Sequence, residues 1–337
     1  MQLGFDTIIG TGGIGAGVVY ALEGNHDLGR NESRMGTLLD QRDFCKLHII
    51  LHYVSVLLRD LKCRVDVVPI SAVGNDEHGR QLRRQMGEAG MRQTYVCTSH
   101  DARTLFSLCF VFPDGSGGNI TERNSACDRV TPTVIRKAAG ELRRHQGRCM
   151  VLSAPEVPLA SRVALLRLAR KHRALTAASF ASAEMGEVRR LGLVRLVDLL
   201  AVNIDEAAML GCVSRRAGAD AIVDACTARA RRANPAIRLL VTNGSRGLYA
   251  FERGNLEFLP ALRVPVRGTA GAGDAALAGL MVGTVLGLPF LGGSGPSCAR
   301  LARLLSALSV TSADTIHFGV NLRLLRAFAK KHGERAV

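Results

Sequence analysis

Apolar and polar positions along this 337-residue chain follow two rhythms. Short β-branched or aliphatic runs, bounded by Gly, Pro, Asn or Asp, predict strands at residues 6–10, 65–70, 95–98, 105–112, 149–153, 175–179, 196–203, 238–242, 248–251 and 256–259. Between them, apolar residues recur with helical spacing over 39–58, 77–88, 132–141, 158–171, 220–233, 273–286 and 297–312. Strand, helix and strand in alternation argue for an α/β fold with a mostly parallel sheet and helices on both faces. Residues 92–125 break the rhythm. They hold two strand-like runs, the turn Pro113-Asp114-Gly115-Ser116-Gly117-Gly118 and no helix, which predicts an antiparallel flap able to close over a substrate. No internal repeat or dividing linker occurs, so residues 1–337 are expected to form one domain with a small β lid from 92–125, joined by 15–25.

Hydrophobic residues make up 47% of the chain, enough for a full core. Trp is absent and aromatic residues are only 4%, so the core is aliphatic and a nucleic-acid surface that stacks bases on rings is not expected. The formal charge of +15 reads either as attraction for anionic substrates or as solvated Arg-rich faces; the Arg residues are scattered through helical segments and form no basic tail. Nine cysteines, an odd number without a Cys-x-x-Cys pair, fit neither a disulfide framework nor a zinc site. A reducing cytoplasm is the expected location. No signal peptide and no membrane span are expected.

Residues 268–274 carry the most chemistry: Gly-Thr-Ala-Gly-Ala-Gly-Asp, followed by a small-residue apolar run. Gly271, Ala272 and Gly273 allow a tight turn that brings backbone N–H groups close to a ligand. The run behind them reads as a helix, whose N-terminus favours an anion. A carboxylate beside that anion, Asp274, suits a base that deprotonates a hydroxyl attacking phosphorus.

Three other patterns have competing readings. Gly10-Thr11-Gly12-Gly13-Ile14-Gly15 matches a dinucleotide fingerprint, but residues 17–22 are short and β-branched and no acidic residue closes a second strand. It is read as a glycine-rich turn leaving the first strand, with nicotinamide binding as the rival. His48 and His52 stand one helical turn apart, as a metal pair, as pocket lining or as helix packing; no third ligand is identifiable. Asn203-Ile204-Asp205-Glu206 follows a strand and fits either a hydrated Mg²⁺ site or an ordinary capping box. Similarly, the turn at Thr242-Asn243-Gly244 meets nucleotide phosphates or is a plain hairpin.

Order and spacing make the set more specific than its parts. Asn203-x-x-Glu206, Val241-Thr242-x-Gly244-x-x-Gly247 and Thr269-x-Gly271-Ala272-Gly273-Asp274, with Val73-Gly74-Asn75-Asp76-Glu77-His78-Gly79 upstream, resemble the ribokinase-like, or PfkB, family of carbohydrate kinases. The resemblance spans about residues 5–330 and is strongest in the C-terminal half. It implies a three-layer fold, ATP and Mg²⁺, and Asp274 as general base. It further implies an anion hole from Gly271, Ala272 and Gly273. Asn203 and Glu206 would position Mg²⁺ through water, with Glu206 the metal residue. Thr242 and Gly244 would touch ATP phosphates, Gly247 would shape that turn and Thr269 would join the nucleotide site. Adenine would lie over 268–312, and the lid often also builds a homodimer in this family.

The departures lie in the substrate half. Gly268 replaces an Asp that often helps hold a monovalent cation, which bears on potassium activation. The first strand ends in glycines where the family has an Asp that grips sugar hydroxyls. Phe44-Cys45-Lys46-Leu47-His48 stands where a Gly-Gly pair and an Asn are usual. Replacement contacts are sought among Gly12, Gly13, Glu23, Asn25, Lys46, His48, His52 and Glu156; Lys46 and the Arg surplus raise the idea of an acidic or phosphorylated substrate. The expected activity is ATP-dependent phosphorylation of a small carbohydrate, with no nucleic-acid or membrane partner. The rivals are a nucleoside kinase of the same fold, with Phe44, Tyr53 and Phe106 available to a base, and a non-catalytic nucleotide- or sugar-binding regulator.

Overall fold

The computed structural model describes residues 4–114, 117–293 and 295–337; Gly115 and Ser116 of the expected turn lie outside the described residues. In chain order the strands are β1 (Thr7–Thr11), β2 (Gly15–Leu22), β3 (Gly36–Phe44), β4 (Asp66–Gly74), β5 (Tyr95–Ser99), β6 (Leu105–Val111) and β7 (Gly117–Thr121). They continue with β8 (Cys149–Ser153), β9 (Leu175–Ala178), β10 (Leu199–Asn203), β11 (Arg238–Thr242), β12 (Gly247–Glu252) and β13 (Asn255–Pro260). The helices are α1 (Lys46–Asp60), α2 (Glu77–Glu88), α3 (Pro132–Arg136), α4 (Ala139–Arg144), α5 (Leu159–Lys171) and α6 (Met185–Arg190). Then follow α7 (Ile204–Gly211), α8 (Ala219–Ala233), α9 (Ala272–Val285), α10 (Cys298–Ser309) and α11 (Leu322–Lys331).

A nine-stranded sheet runs β13-β12-β11-β10-β9-β8-β1-β4-β5. From β11 to β5 every pair is parallel; β12 and β13 extend it antiparallel. The inner strands β1 and β8 are buried at every position, as strands covered on both faces must be. One core cluster joins the sheet to α1, α2, α9, α10 and α11; two others join it to α3–α8. This is the ribokinase-like α/β layering that the sequence predicts. A second, smaller sheet has the order β3-β2-β6-β7, with antiparallel outer pairs and a parallel β2–β6 pair between them.

The small-residue run behind Asp274 is α9, a helix buried nearly all round. Its glycines permit close helix packing: a Cβ at Gly279 would lie 2.7 Å from the Ala302 Cα, and one at Gly283 would lie 3.0 Å from the Cys298 Cα of α10.

Local reading fails in several places. Tyr95–Ser99, expected in the antiparallel flap, is β5 and pairs parallel with β4 at the edge of the large sheet, so that only β6 and β7 of the expected flap lie in the small sheet. The short helices α6 and α7 were not expected. Residues 39–44, expected in a helix, belong to β3; the helix begins at Lys46. Pairing with β2, from Leu22↔Gly36 to Ala16↔Phe44, overrides the helical spacing. The helix expected over 132–141 is two short ones, with Lys137 and Ala138 between them. The C-terminal helix α11, held to the core by Leu325 and Ala329, was not expected.

Candidate active site

The site lies where parallel strands end, the usual location for ligands in an open α/β sheet. Beyond β9 stand Ser179 and Phe180; β10 ends at Asn203 and β11 at Thr242. Helix α1 brings Lys46 and the start of α9 brings Gly271, Gly273 and Asp274. These residues, with Glu206, line one cleft of about 180 Å³. Residues remote in sequence thus converge on Asp274, which is only 7% exposed yet lines the cavity.

The loop before α9 is built by its glycines. Gly271 caps the helix with φ +81°, and a Cβ there would sit 2.5 Å from the Thr315 carbonyl oxygen. Only glycine meets both conditions. The Ala272 N–H donates to the Thr269 carbonyl at 3.3 Å, while those of Gly271, Gly273 and Asp274 have no partner among the described residues. Gly273 is open: the nearest atom to an added Cβ is the Thr242 Oγ1, 4.0 Å away. Unpaired donors at a helix N-terminus, facing a cleft, form an anion seat.

Asp274 Oδ2 lies 3.5 Å from Lys46 Nζ. Burial pushes the Asp274 carboxyl above its ordinary range, Lys46 pulls it back, and the Asp43 charge adds to the rise. Lys46 is itself held firmly protonated, first by Asp274, then against burial by Glu156 and Glu206. Glu156, with φ +74°, accepts the Lys46 backbone N–H at 3.0 Å and so places a carboxylate at the N-terminus of α1. Burial raises Glu156 to about 7 against the pull of Lys46. Gly13 is bare because Glu156 fills its side: a Cβ at Gly13 would lie 2.5 Å from the Glu156 Cβ. Gly12 is likewise closed in by Ala154 and Leu47, at 2.8 and 2.9 Å.

Asn203 and Glu206 form a reciprocal capping box. Glu206 N–H donates to Asn203 Oδ1 at 2.8 Å, and Asn203 N–H to Glu206 Oε2 at 3.0 Å. The Ser182 hydroxyl donates to the other Glu206 oxygen at 3.3 Å. The cap fixes a carboxylate whose affinity for protons burial has raised. Between β11 and β12 the turn needs Gly247, at φ +125°, because a Cβ would fall 2.1 Å from the Leu259 carbonyl oxygen. Gly244, at φ +53°, leaves open space. Thr269 is exposed beside the α9 turn. At Gly268 the carbonyls of Ala313 and Ser312 close to 2.9 and 3.3 Å of an added Cβ, so a longer side chain would require them to move.

Other sequence candidates lie elsewhere. His48 and His52 are buried, with ring contacts to Phe44, Phe318 and each other, and all four ring nitrogens lack partners. They pack α1 and do not line the cleft. Glu23 and Asn25 are exposed beyond β2, where Asn25 Oδ1 accepts the Asp114 N–H at 3.0 Å. Residues 10–15 join β1 directly to β2, without the helix that the dinucleotide fingerprint requires. Phe44 and Tyr53 are core residues, unavailable for stacking on a base. Sequence reasoning passed over Asp43, an 8% exposed carboxylate on β3; an acid at an inward position becomes visible only once 36–44 is read as a strand.

Comparison with known proteins gives a family and a fold. A family model described as pfkB family carbohydrate kinase matches residues 54–320. Among solved structures, a Burkholderia thailandensis nucleoside kinase in complex with inosine superposes with TM-score 0.73 at 20% identity, covering 98% of this chain and 99% of that one. Ribokinase from Cryptococcus neoformans in complex with ADP gives TM-score 0.74 at 16% identity, covering 96% and 99%. Arabidopsis thaliana ribokinase complexed with ribose and ATP gives 0.70 at 17%, covering 96% and 98%. At these identities the likeness is one of fold.

Proposed function

The chain belongs to the pfkB family of carbohydrate kinases, and from that premise we propose that it moves the terminal phosphoryl group of ATP onto a hydroxyl of a small neutral carbohydrate. One observation carries the proposal: Asp274, Asn203, Glu206 and Thr242 share a single cleft with the open N-terminus of α9.

Asp274 takes the proton of the attacking hydroxyl. Lys46 opposes the burial that raises the affinity of Asp274 for protons. The free amides of the Gly271–Asp274 turn, among them Gly271 and Gly273, meet the charge of the transferred group as it develops. Ala272 shapes that turn, its own amide being engaged with Thr269. Thr242 and Gly244 contact the ATP phosphates, Gly247 holds their turn, and adenine lies along 268–312.

The charge in the cleft fits a cation arriving with the nucleotide. Asp274 is a buried carboxyl and Glu206 a half-buried one, with only Lys46 opposing them in the lining. Among the described residues no cluster of three metal-ligating side chains exists. Magnesium does not need such a cage, since it keeps water and phosphate oxygens as ligands. Glu206, with Asn203, would hold it through water, and when bound it would neutralise phosphate charge.

Glu156 serves the acceptor side. Lys46 is committed to Asp274 and surrounded by carboxylates, so it offers little to an anionic acceptor and a neutral sugar is favoured. The small sheet closes over the acceptor as a lid. Its outer surface exposes Leu38 and Ile120, apolar side chains suited to burial in a homodimer. A nucleoside acceptor is less well served, because Phe44 and Tyr53 are locked in the core and, of the three aromatic residues considered for a base, only the half-buried Phe106 is left.

The test is a turnover screen with ATP·Mg²⁺ against pentoses, hexoses, sugar phosphates and nucleosides. Turnover of a neutral sugar is expected. Preference for a sugar phosphate would contradict the charge argument, and no ADP release with any acceptor would contradict the activity.

A further inference from the structure

A polyol held for phosphorylation needs several placed hydrogen-bond partners. The β1–β2 crossover offers almost none: residues 10–15 are four glycines, Ile14 and Thr11, and the Thr11 hydroxyl is buried, donating to the Ile70 carbonyl at 2.9 Å. The small sheet supplies what the crossover lacks. Strand alternation points Gly15 and Gly17 of β2 and Leu105 and Ser107 of β6 inward, where all four are buried with Asp43.

Asp43 lies opposite Gly17, and Gly17 opposite Ser107. With no side chain at 17, the Ser107 hydroxyl reaches across and donates to Asp43 Oδ2 at 2.5 Å. A Cβ at Gly17 would lie 2.2 Å from the Ser107 Oγ and 3.0 Å from Asp43 Oδ2. The Cys109 thiol donates to the same oxygen at 3.2 Å. Oδ1 accepts nothing from the described residues. This carboxylate is only 8% exposed and is aligned by two donors on one oxygen, which leaves its second oxygen open to a further donor. Asp43 stands three residues before Lys46, whose ammonium lies 3.5 Å from Asp274 Oδ2, so the end of β3 leads directly into the wall of the cleft.

We propose that Asp43 is an acceptor-binding residue, its Oδ1 accepting a hydrogen bond from a polyol hydroxyl next to the one phosphorylated. The lid sheet then carries substrate specificity and not only closure. The inference rests on the kinase reading above.

The experiment separates the two. Wild type and Asp43→Asn are assayed with ATP·Mg²⁺ and, as acceptors, D-ribose and inosine together with the remaining pentoses and hexoses. For the acceptor that wild type uses, Asp43→Asn is expected to raise KM about 10- to 100-fold, because a buried polar site loses its matched partner, while KM for ATP stays within about twofold. A purely structural role would move both constants with the melting temperature. An unchanged acceptor KM in the folded variant overturns the assignment and leaves the kinase reading standing. Absence of turnover by wild type overturns both. If Asp43→Asn does not fold, Ser107→Ala, which frees Oδ2 but keeps the charge, carries the test: a severalfold rise in acceptor KM supports the role and no change overturns it.

Discussion

Asp274, the proposed base, is under two opposed influences, burial that raises its proton affinity and an ammonium 3.5 Å away that lowers it. Replacing Lys46 by Met removes the second. The acidic limb of the kcat/KM profile is then expected to move up by about 1 pH unit or more, the usual effect of one close opposite charge; an unmoved limb would show that Lys46 does not tune the base. Glu156 makes a complementary prediction about stability. Its carboxyl holds its proton to about 7 in the fold, against an ordinary 4.5. Between those values the folded state binds more protons than the unfolded one, so stability falls as pH rises from about 4.5 to about 7. Glu156→Gln removes that loss, and its melting temperature relative to wild type should be higher at pH 8 than at pH 5 by about 2 °C or more. Equal offsets at both pH values would contradict the buried, protonated state. At this scale Asp274, Asn203, Glu206 and Thr242 were legible because each sits in a short contiguous pattern whose local chemistry is unusual. Asp43 was not, because its significance comes from Ser107, 64 positions away.

At the scale of elements, the proposed phosphate half contains two glycine turns that differ in kind. Gly247 is required by the backbone, with positive φ and a carbonyl oxygen 2.1 Å from where a Cβ would stand. Gly273 has ordinary φ and open space, so its lack of a side chain answers to whatever approaches the turn. Gly247→Ala is therefore expected to lose about 1–3 kcal/mol of stability, read by denaturant unfolding. Gly273→Ala should fold normally yet weaken ATP binding in calorimetry and slow turnover. The reverse pattern would mean that the roles of the two turns are exchanged. The capping box at Asn203 and Glu206 shows why the sequence left two readings open there: the structure forms the cap, and the cap is also what aims Glu206. Helix α9 was legible from its small residues. Strand β3 was not, since its apolar residues fit a helix until β2 is available as a partner.

For the whole molecule, alternation of strands and helices was enough to read a layered α/β fold, because parallel strands need covered faces and long crossovers. The small sheet was harder to read, as β2 and β6 are far apart in sequence and pair in parallel. Its strand β3 is also fastened to the loop after α10: Arg42 Nε donates to Asp314 Oδ2 at 2.9 Å, and the Phe44 N–H to the Thr315 Oγ1 at 2.9 Å. The same loop supplies the Thr315 carbonyl that forces glycine at 271, so strand β3 and the turn before α9 share one brace. The nine cysteines are all free, and no described helix is long and apolar enough to cross a membrane. If the outer surface of the small sheet pairs two copies, light scattering after gel filtration should give twice the 36.0 kDa chain mass, and Leu38→Asp with Ile120→Asp should return it to one. The account as a whole turns on Asp274, and ³¹P NMR of ATP·Mg²⁺ with an acceptor identified by the screen tests it most directly. Wild type should convert ATP to ADP and a phosphomonoester, while Asp274→Asn, still binding ATP, should do so about 10²–10⁴ times more slowly. A variant that forms the phosphomonoester at the wild-type rate would contradict the account.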